Sequence, residues 1–560
     1  MFLFDLFRSF LPLHNPLGFG ESDFVLLALT LLLAACAIGF ARLQPLALRL
    51  ASHTRWTMLL VAALPVLLRL ALLPRFPAPA PAGADDFGYL LLADTLRHLR
   101  LANPVHPLHQ FFEAVFVLQE PSYSAIFPPG QGLALAFGWA ILGHPWAGVV
   151  LPVAAFCALC FWMLRAWTTP GWALVGGLLA VAEFGPLNQW MNLYWGGAVG
   201  ATAGCLVFGA LPRIRASGRR RDAALAGAGL GLALLTRPFE FLLLAVCVLV
   251  YSAWQLRDGW KRWALWCGAA FAPAVLLMLA QNYAVTGSVA TMPYQLSRYQ
   301  YGVPAAFTFE ANPVPHRALT AEQTLDYRAQ SLMHDEAATI LLAGRLGERL
   351  HFYRFFFYPG LLLALPGFLF ALREFRFAWA AGCVIVFAIG TGFYPYFYPH
   401  YVAALTCLFV LFAVVSLERL SRWTIRGHAV GAEAARVVAF LCAAHFVFWY
   451  GMHCGSQPLL MAAGRFDTAD FIDYGDPEGR IRIASELAGQ PGKHLVLVRY
   501  SREHQFHEWI HNAADIDAAD VVWAADLGPE ENQKLREYYP SRTVWLCEPD
   551  AKPPLLMPYR

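Results

Sequence analysis

The chain of 560 residues is 58% hydrophobic and only 14% charged, and its mean hydropathy is +0.48. So few charges cannot cover a soluble globule of this size, and a formal net charge of +3 gives no reason to expect a nucleic-acid partner. The composition therefore predicts a polytopic α-helical membrane protein.

Long apolar runs follow one another along most of the chain. A membrane-spanning helix needs about 20 apolar residues, and roughly twelve runs approach that length. Loops rich in arginine alternate with the short connections 188–195 and 394–400, which contain no Lys or Arg. The positive-inside rule places the basic loops in the cytoplasm and the others outside. The predicted spans are 23–41, 57–74, 146–164, 172–187, 196–211, 223–236, 239–254, 263–281, 355–372, 377–393, 401–417 and 437–454.

One shorter apolar segment decides the topology. At 1.5 Å per residue, a helix over 130–142 is about 20 Å long, which is too short for a hydrocarbon core of about 30 Å. We therefore predict a re-entrant or juxtamembrane helix on the outer side, begun by Pro128 and Pro129. Loops 75–145 and 282–354 and the C-terminal tail then lie on one outer face.

The tail differs in character from the rest. Beyond Gly455 long apolar runs cease and charged residues become common. Strand and helix patterns alternate there, which predicts a small α/β domain. The chain then has two domains, a transmembrane domain (1–456) and an outer α/β domain (457–560). The predicted strands are 493–500, 520–525 and 542–548, with helices between them, one of them at 529–538.

Two adjacent carboxylates, Asp85 and Asp86, follow the second predicted span. In an extended loop they point to opposite sides, so that one can face a site while the other is held by supporting donors. Such a pair raises the pKa of one member, which suits a general base. The pair is equally typical of a solvated acidic loop, or of an N-cap for a helix over 87–100.

Several short motifs strengthen the catalytic interpretation because of their order along the chain. Together they resemble the GT-C class of polyprenyl-phosphate-dependent glycosyltransferases, which includes protein O-mannosyltransferases and the aminoarabinose transferases of lipid A, and they resemble most closely a bacterial group within this class. The motifs are Asp85-Asp86-Phe87-Gly88-Tyr89, Asn103-Pro104-Val105-His106-Pro107, Phe127-Pro128-Pro129-Gly130-Gln131-Gly132, Gly143-His144-Pro145-Trp146 and Met191-Asn192-Leu193-Tyr194-Trp195-Gly196-Gly197.

The resemblance implies a GT-C fold and roles for the acidic pair. Asp85 matches the Asp of the family and is expected to be the base, with Asp86 in support. Relatives usually carry Asp-Glu here, so the shorter second acid leaves open which carboxylate acts. A departing lipid phosphate needs a cation on the outer side, and Arg237 interrupts two apolar runs there. Its alternative role is an ion pair with Glu240 at a helix break.

Further substrate-binding or phosphate-binding candidates lie at the outer ends of other spans. Tyr89 closes the acidic motif, and His400 and Tyr401 occupy a place where relatives have a basic residue followed by Tyr. The tyrosines are equally typical of an interfacial aromatic belt. Arg354 lies near the start of a predicted span, where it could contact a phosphate or solvate the loop. Asn192 and Tyr194 belong to a polar and aromatic patch suited to a sugar, or again to the belt.

The tail contains a match to the zinc motif HExxH at His507-Glu508-Trp509-Ile510-His511. Two His one turn apart would bind zinc and the Glu would activate water, as in a metalloprotease. No third ligand is evident behind the motif, so we expect no metal site here.

The sequence thus predicts a multi-pass glycosyltransferase of a bacterial inner membrane, with its C-terminal domain in the periplasm. It would move a sugar from a polyprenyl-phosphate donor to an extracytoplasmic acceptor (a lipid, a glycan or a protein) by inverting transfer. No organic cofactor is expected, and the need for a divalent cation stays open. Alternatives are a multi-span transporter or flippase, which usually shows two similar halves, the metalloprotease, and a non-catalytic scaffold.

Overall fold

The computed structural model describes residues 44–81, 83–256, 260–455 and 479–560 except 503 and 505–507, together with Leu32 and Ile472. Helices dominate up to residue 454, and a small sheet domain follows, which confirms the predicted fold class. The predicted span 23–41, apart from Leu32, and the predicted domain boundary at 456/457 lie outside the described residues.

The membrane part is a bundle of apolar helices. Six helices in the described ranges are long and apolar enough to cross a membrane: Thr54–Ala71, Ala147–Leu164, Pro238–Gln255, Trp260–Thr286, Pro399–Ser421 and Val430–Cys454. Shorter apolar helices stand beside them, and the protein is a multi-pass membrane protein. The α-helices of this part are α1 (Gln44–Ser52), α2 (Thr54–Ala71), α3 (Ala84–Arg97), α4 (Pro129–Leu142), α5 (Ala147–Leu164), α6 (Pro170–Phe184), α7 (Gln189–Asn192), α8 (Ala198–Ser217), α9 (Arg220–Thr236), α10 (Pro238–Gln255), α11 (Trp260–Thr286), α12 (Pro293–Tyr301), α13 (Ala321–Thr339), α14 (Leu342–Phe352), α15 (Pro359–Leu362), α16 (Phe375–Thr391), α17 (Thr406–Ser421) and α18 (Val430–Cys454).

Burial separates the centre of the bundle from its rim. In Pro399–Ser421, which ends in α17, 89% of the most apolar window is buried, against 11% in α11. A helix that is apolar all round is stable either inside a bundle or against lipid. Helix α17 therefore lies at the centre, and α11 presents most of its surface to the membrane.

Glycines allow two helix pairs to approach closely. A Cβ on Gly138 of α4 would lie 2.0 Å from the backbone N of Gly148 in α5, and one on Gly204 of α8 would lie 1.8 Å from the carbonyl O of Ala404. Small residues at such crossings are typical of membrane bundles, where association depends on close packing. The close approach at Gly138 holds α4 against α5. Helix α4 is the short helix predicted over 130–142.

One predicted span is wrong in detail. Residues 355–372 do not form a continuous helix, because prolines at 359 and 366 interrupt the hydrogen-bond ladder. The stretch instead contains the 3₁₀ helices Tyr353–Phe356 and Leu365–Arg373 with α15 between them. The other predicted spans within the described residues have helices at their positions.

The C-terminal domain contains four strands: β3 (His494–Val498), β4 (Val521–Ala525), β5 (Thr543–Glu548) and β6 (Leu555–Pro558). They form one sheet in the order β4-β3-β5-β6. Strands β4 and β5 flank β3 in parallel, and β6 runs antiparallel to β5. The helix predicted between β3 and β4 is not formed by the described residues there, which are turns and irregular structure. The helices of this domain are α19 (Arg480–Ala488) and α20 (Pro529–Tyr538).

The loop before α4 carries the acidic pair. Helix α3 begins this loop, and a small antiparallel hairpin of β1 (Val117–Leu118) and β2 (Ser124–Ala125) follows. Helix α4 starts with Pro129 in its first turn and ends at Gly143, whose φ of +74° gives a left-handed cap. This arrangement packs α3 along α4 and points the start of α3 at the bundle.

Candidate active site

Asp85 and Asp86 lie in the first turn of α3, which begins at Ala84. The extended loop predicted for them is therefore wrong, and so is the alternative of an N-cap at this pair, because the N-cap residue of α3 is Gly83. Carboxylates are stabilised at a helix N-terminus, where backbone N–H groups point outward without partners in the helix. Helical geometry still gives the two side chains different surroundings.

Asp86 is held by the protein. Only 3% of the residue is exposed, and its Oδ1 accepts a hydrogen bond of 2.9 Å from the backbone N–H of Tyr194. Gly196, two residues further on, has a φ of +64° and lies against Gln131, which donates to the Tyr194 carbonyl O. The segment after α7 is thus fixed to α4, and Asp86 is fixed to that segment.

Asp85 is half-buried, and no hydrogen bond is formed by its carboxylate within the described part of the chain. Burial and, after it, the negative charge of Asp86 raise its pKa to about 7, although the positive charge of Arg237 lowers it. Asp326 on α13 also repels it. A carboxylate with a pKa near the working pH and an uncommitted lone pair is suited to accept a proton.

Arg237 occupies the break between α9 and α10. Its φ of −149° and ψ of 93° are those of extended backbone, because Pro238 follows and begins α10. The guanidinium Nη1 lies 3.6 Å from Glu240 Oε1, and the guanidinium carbon lies 4.6 Å from the ring centroid of Tyr401. The predicted ion pair with Glu240 is present, and it aims the cation at the same region as Asp85.

Arg237 and Glu240 line a cavity. Its walls include Tyr89 from α3 and Trp195 from the segment after α7. Arg237, Glu240 and, from the residues just before α17, His400 and Tyr401 complete this part of the wall. Five of the residues predicted as substrate-binding candidates are therefore brought together: Tyr89, Arg237, Glu240, His400 and Tyr401.

Aromatic rings form much of the wall. Trp195 packs edge-on against His400 and Tyr398, with ring centroids 4.8 Å and 5.5 Å apart. Tyr89 stacks on Phe127 at 4.3 Å, and burial raises its pKa to about 12, so its phenol stays protonated at neutral pH and can donate a hydrogen bond. Aromatic faces with a few fixed polar groups are typical of ligand sites.

Asn192 and Tyr194 have other roles than the predicted contact with a sugar. The Asn192 amide donates to the carbonyls of Pro186 and Asn188, and its Oδ1 accepts from Arg69 Nε at 2.8 Å. The Tyr194 hydroxyl donates to the Pro79 carbonyl O. Both side chains are buried, with their polar atoms paired inside the protein, so they support the site from behind.

Arg349, which the sequence did not single out, contacts the aromatic segment 394–401 directly. Its Nη2 donates to the Tyr394 carbonyl O at 2.9 Å, and its guanidinium lies 4.8 Å from the Phe397 ring centroid. Arg354 lies a turn later, in the 3₁₀ helix Tyr353–Phe356. The six arginines of loop 282–354 offer no sequence signal that separates these two.

Two further residues near the site, Asp326 and Arg69, are not among the candidates predicted from the sequence. Asp326 approaches the acidic pair from α13, and burial raises its pKa to about 6. Arg69, near the end of α2, donates to the carbonyls of Phe76 and Pro77 and so fixes the approach to α3. A charge inside an apolar run was the available signal for Arg69, while Asp326 stands in an ordinary polar helix.

The HExxH segment does not form a zinc site in the described residues. His507 lies outside them, and the buried Glu508 and the half-buried His511 pack against the loop that carries α3. Among the residues that the structure describes, no group of three His, Cys, Asp or Glu could hold a metal ion.

Comparison with known proteins gives similarities in structure only. No family model matches the sequence, and no curated protein matches it. The archaeal oligosaccharyltransferase AglB from Archaeoglobus fulgidus, in complex with an inhibitory peptide and a dolichol-phosphate, is 10% identical, with a TM-score of 0.48 over 88% of this chain and 69% of that one. ArnT from Cupriavidus metallidurans bound to undecaprenyl phosphate is 12% identical, with a TM-score of 0.48 over 87% and 92%. Apo ArnT gives 13% identity and 0.47 over 89% and 93%. Both proteins are of the GT-C class, which the motifs of this chain resemble.

Proposed function

We propose that the protein is a membrane glycosyltransferase that moves a sugar from a polyprenyl-phosphate donor to an acceptor hydroxyl on the outer side of a bacterial inner membrane. The observation that carries the proposal is the electrostatic influence on Asp85 of Arg237, which lines the cavity. A proton acceptor and a cation that influence each other in this way are what the reaction needs at its two ends.

Asp85 is the base in this mechanism. The acceptor O–H approaches the anomeric carbon of the sugar, and Asp85 takes its proton as the new C–O bond forms. The bond between the sugar and the phosphate oxygen breaks on the opposite face, which inverts the configuration. A carboxylate with a pKa near 7 binds the proton strongly enough to assist and releases it again to water.

Arg237 stabilises the phosphate that departs. Its guanidinium can form two parallel hydrogen bonds with phosphate oxygens, and such charge-assisted bonds are the strong ones. Glu240, 3.6 Å away, restrains the guanidinium, while the Tyr401 ring supports its face. Tyr89 is a second donor for the same oxygens, because its phenol is protonated at neutral pH.

The aromatic wall suits a sugar on a lipid. Trp195 presents a ring against which the C–H groups of a sugar can pack, with Tyr398 in contact behind it, and small residues such as Gly200, Ala403 and Ala404 also line the cavity. A lipid phosphate could enter between these small residues with its chain in the bilayer. We carry Arg349 forward as a further phosphate-binding candidate, in preference to Arg354.

The test compares cells that express the wild type, Asp85→Asn, or the control Glu336→Gln at matched protein levels. Glu336 is exposed on α13, in the same outer loop as Asp326. Mass spectrometry of membrane glycolipids and periplasmic glycans and proteins should show a sugar-sized mass increment with the wild type and the control, and its loss with Asp85→Asn. The increment also identifies sugar and acceptor.

Profiles without a sugar-sized mass increment in any of the three strains would overturn the proposal. If cells accumulated or exported a lipid-linked sugar equally with the wild type and Asp85→Asn, a transporter would be the better description. Full activity of Asp85→Asn alone would leave the transferase standing and remove Asp85 as its base.

A further inference from the structure

A short segment of the C-terminal domain packs directly on the helix that carries the acidic pair. We call residues 508–514 the docking segment. The His511 ring lies 4.2 Å from the ring of Phe87, and the backbone N–H of Ala514 donates to Asp94 Oδ2 at 2.8 Å. These two contacts hold α3 near its start and, two turns later, near its end.

Arg480 connects α19 to the same place. Its Nη1 and Nη2 donate to the carbonyls of Glu508 and Trp509 at 2.6 Å and 3.2 Å, and its guanidinium lies 4.4 Å from the Phe87 ring centroid. Phe87 is therefore in contact with a histidine ring and a cation, both from the C-terminal domain. Phe87 is buried and Arg480 is half-buried, and a cation over an aromatic face is worth more as the pair is desolvated.

The docking segment is itself fixed to the sheet. The Asn512 side chain donates to the Trp523 carbonyl O at 2.8 Å and accepts from the Trp523 backbone N–H at 2.9 Å, so it pairs with β4 like an added strand residue. Tyr123, next to β2, donates its hydroxyl to the Asn512 carbonyl O at 3.3 Å. A continuous path of contacts thus runs from β4 through Asn512 and His511 to Phe87.

Phe87 is the residue after Asp86, in the same helical turn as the pair. A displacement of the helix backbone at Phe87 therefore also displaces Asp85. We infer that the docking segment and Arg480 are positioning residues that set the orientation of Asp85 in the active site. The inference rests on the proposed function, and it gives the HExxH-like sequence a packing role in place of a zinc-binding one.

The reaction is sensitive to such a shift. Misplacement of a reacting group by about 1 Å can cost roughly 10²-fold in rate. Donor binding depends on Arg237, Tyr401 and Tyr89, and the first two lie on helices that the docking segment does not contact through any hydrogen bond or ring pair in the described residues. Loss of docking should therefore lower the transfer rate far more than it weakens phosphate binding.

The experiment uses the full-length protein in four forms: wild type, His511→Ala, His511→Phe and the control Lys534→Ala. Phenylalanine keeps a ring against Phe87 but cannot bind zinc, and Lys534 is an exposed residue of α20. We would measure sugar transfer by mass spectrometry, undecaprenyl phosphate binding by native mass spectrometry, zinc content, and hydrogen exchange in residues 84–97.

We expect His511→Ala to lower the transfer rate by roughly 10²-fold, to keep its affinity for undecaprenyl phosphate, and to exchange faster in residues 84–97. His511→Phe and Lys534→Ala should resemble the wild type in all three measurements, and the wild type should carry no stoichiometric zinc.

Three results would overturn the inference: wild-type transfer and exchange in His511→Ala, a loss in His511→Phe equal to that in His511→Ala, or stoichiometric zinc that both variants lose. If the wild type itself transfers no sugar, the proposed function fails, while the exchange of residues 84–97 still decides whether the docking segment orders α3.

Discussion

The guanidinium of Arg480 lies 4.4 Å from the centre of the Phe87 ring. The first residue belongs to the C-terminal domain, and the second follows the acidic pair at the start of α3. The two sequence features that suggested chemistry, the acidic motif and the HExxH-like segment, therefore meet in the structure. Their meeting makes the C-terminal domain part of the support for the proposed base.

The transfer rate should depend on pH through Asp85. Burial and then the charge of Asp86 raise its pKa to about 7, so the carboxyl group is protonated and inactive as a base at lower pH. We expect the rate to fall about tenfold for each pH unit below 7 and to level off above it. The measurement is a pH profile of transfer at saturating donor; a flat profile between pH 5 and 8 would contradict the role of Asp85.

Asp86→Asn and Asp86→Ala should differ. The amide O of asparagine can still accept from the Tyr194 N–H, whereas alanine leaves that buried donor without its partner and should cost about 1–3 kcal/mol of stability. Asp86→Asn also removes a charge that raises the pKa of Asp85, so the pH profile should move to lower pH. Thermal unfolding in detergent and the pH profile measure the two effects, and equal unfolding temperatures for both variants would argue against the hydrogen bond.

Arg237 and Glu240 should act as a unit in donor binding. Arg237→Ala removes the cation and leaves Glu240 buried without its partner, so undecaprenyl phosphate affinity should fall by at least about tenfold, as charge-assisted bonds contribute about 1.5–3 kcal/mol. Glu240→Gln keeps the cation but frees its orientation, and should have a smaller effect. The control is Arg436→Ala, an exposed residue paired with Glu433 on α18. Equal affinity in wild type and Arg237→Ala would remove Arg237 from the phosphate site.

Close packing of α4 on α5 predicts a contrast between two glycines. A Cβ at position 138 would lie 2.0 Å from the backbone N of Gly148, so Gly138→Ala should destabilise the protein by about 1–3 kcal/mol. Gly268 of α11 has nothing within 4 Å of such a Cβ, so Gly268→Ala should be neutral or slightly stabilising, by up to about 1 kcal/mol. Thermal unfolding compares them, and a Gly138→Ala protein as stable as the wild type would contradict the packing.

The helices could be predicted because span length and loop charge are local properties. The same reasoning predicts that Asp85 and Arg237 lie on the outer side of the membrane, since both are charged residues next to apolar runs on that side. It failed at 355–372, where mean hydropathy predicts a span but Pro359 and Pro366 break the helix. Hydropathy averages over a window and does not register single prolines.

The roles of individual polar residues could not be predicted in the same way. The sequence predicts Asn192 as a sugar ligand because it lies in a polar and aromatic patch. In the structure its side-chain oxygen accepts a hydrogen bond from Arg69, 123 positions earlier. Asp326 gives no signal at all in a helix of ordinary polar composition. Both depend on which distant segments meet, and one sequence does not contain that information in its local pattern.

The hydrogen bond from Ala514 to Asp94 joins residues 420 positions apart. During synthesis, α3 leaves the ribosome long before its partner exists, and every membrane helix between them must be inserted first. The bond can form only after residue 514 has been synthesised. The support that the docking segment gives to the proposed base is therefore added late in biogenesis, and a chain cut short after α18 would lack it.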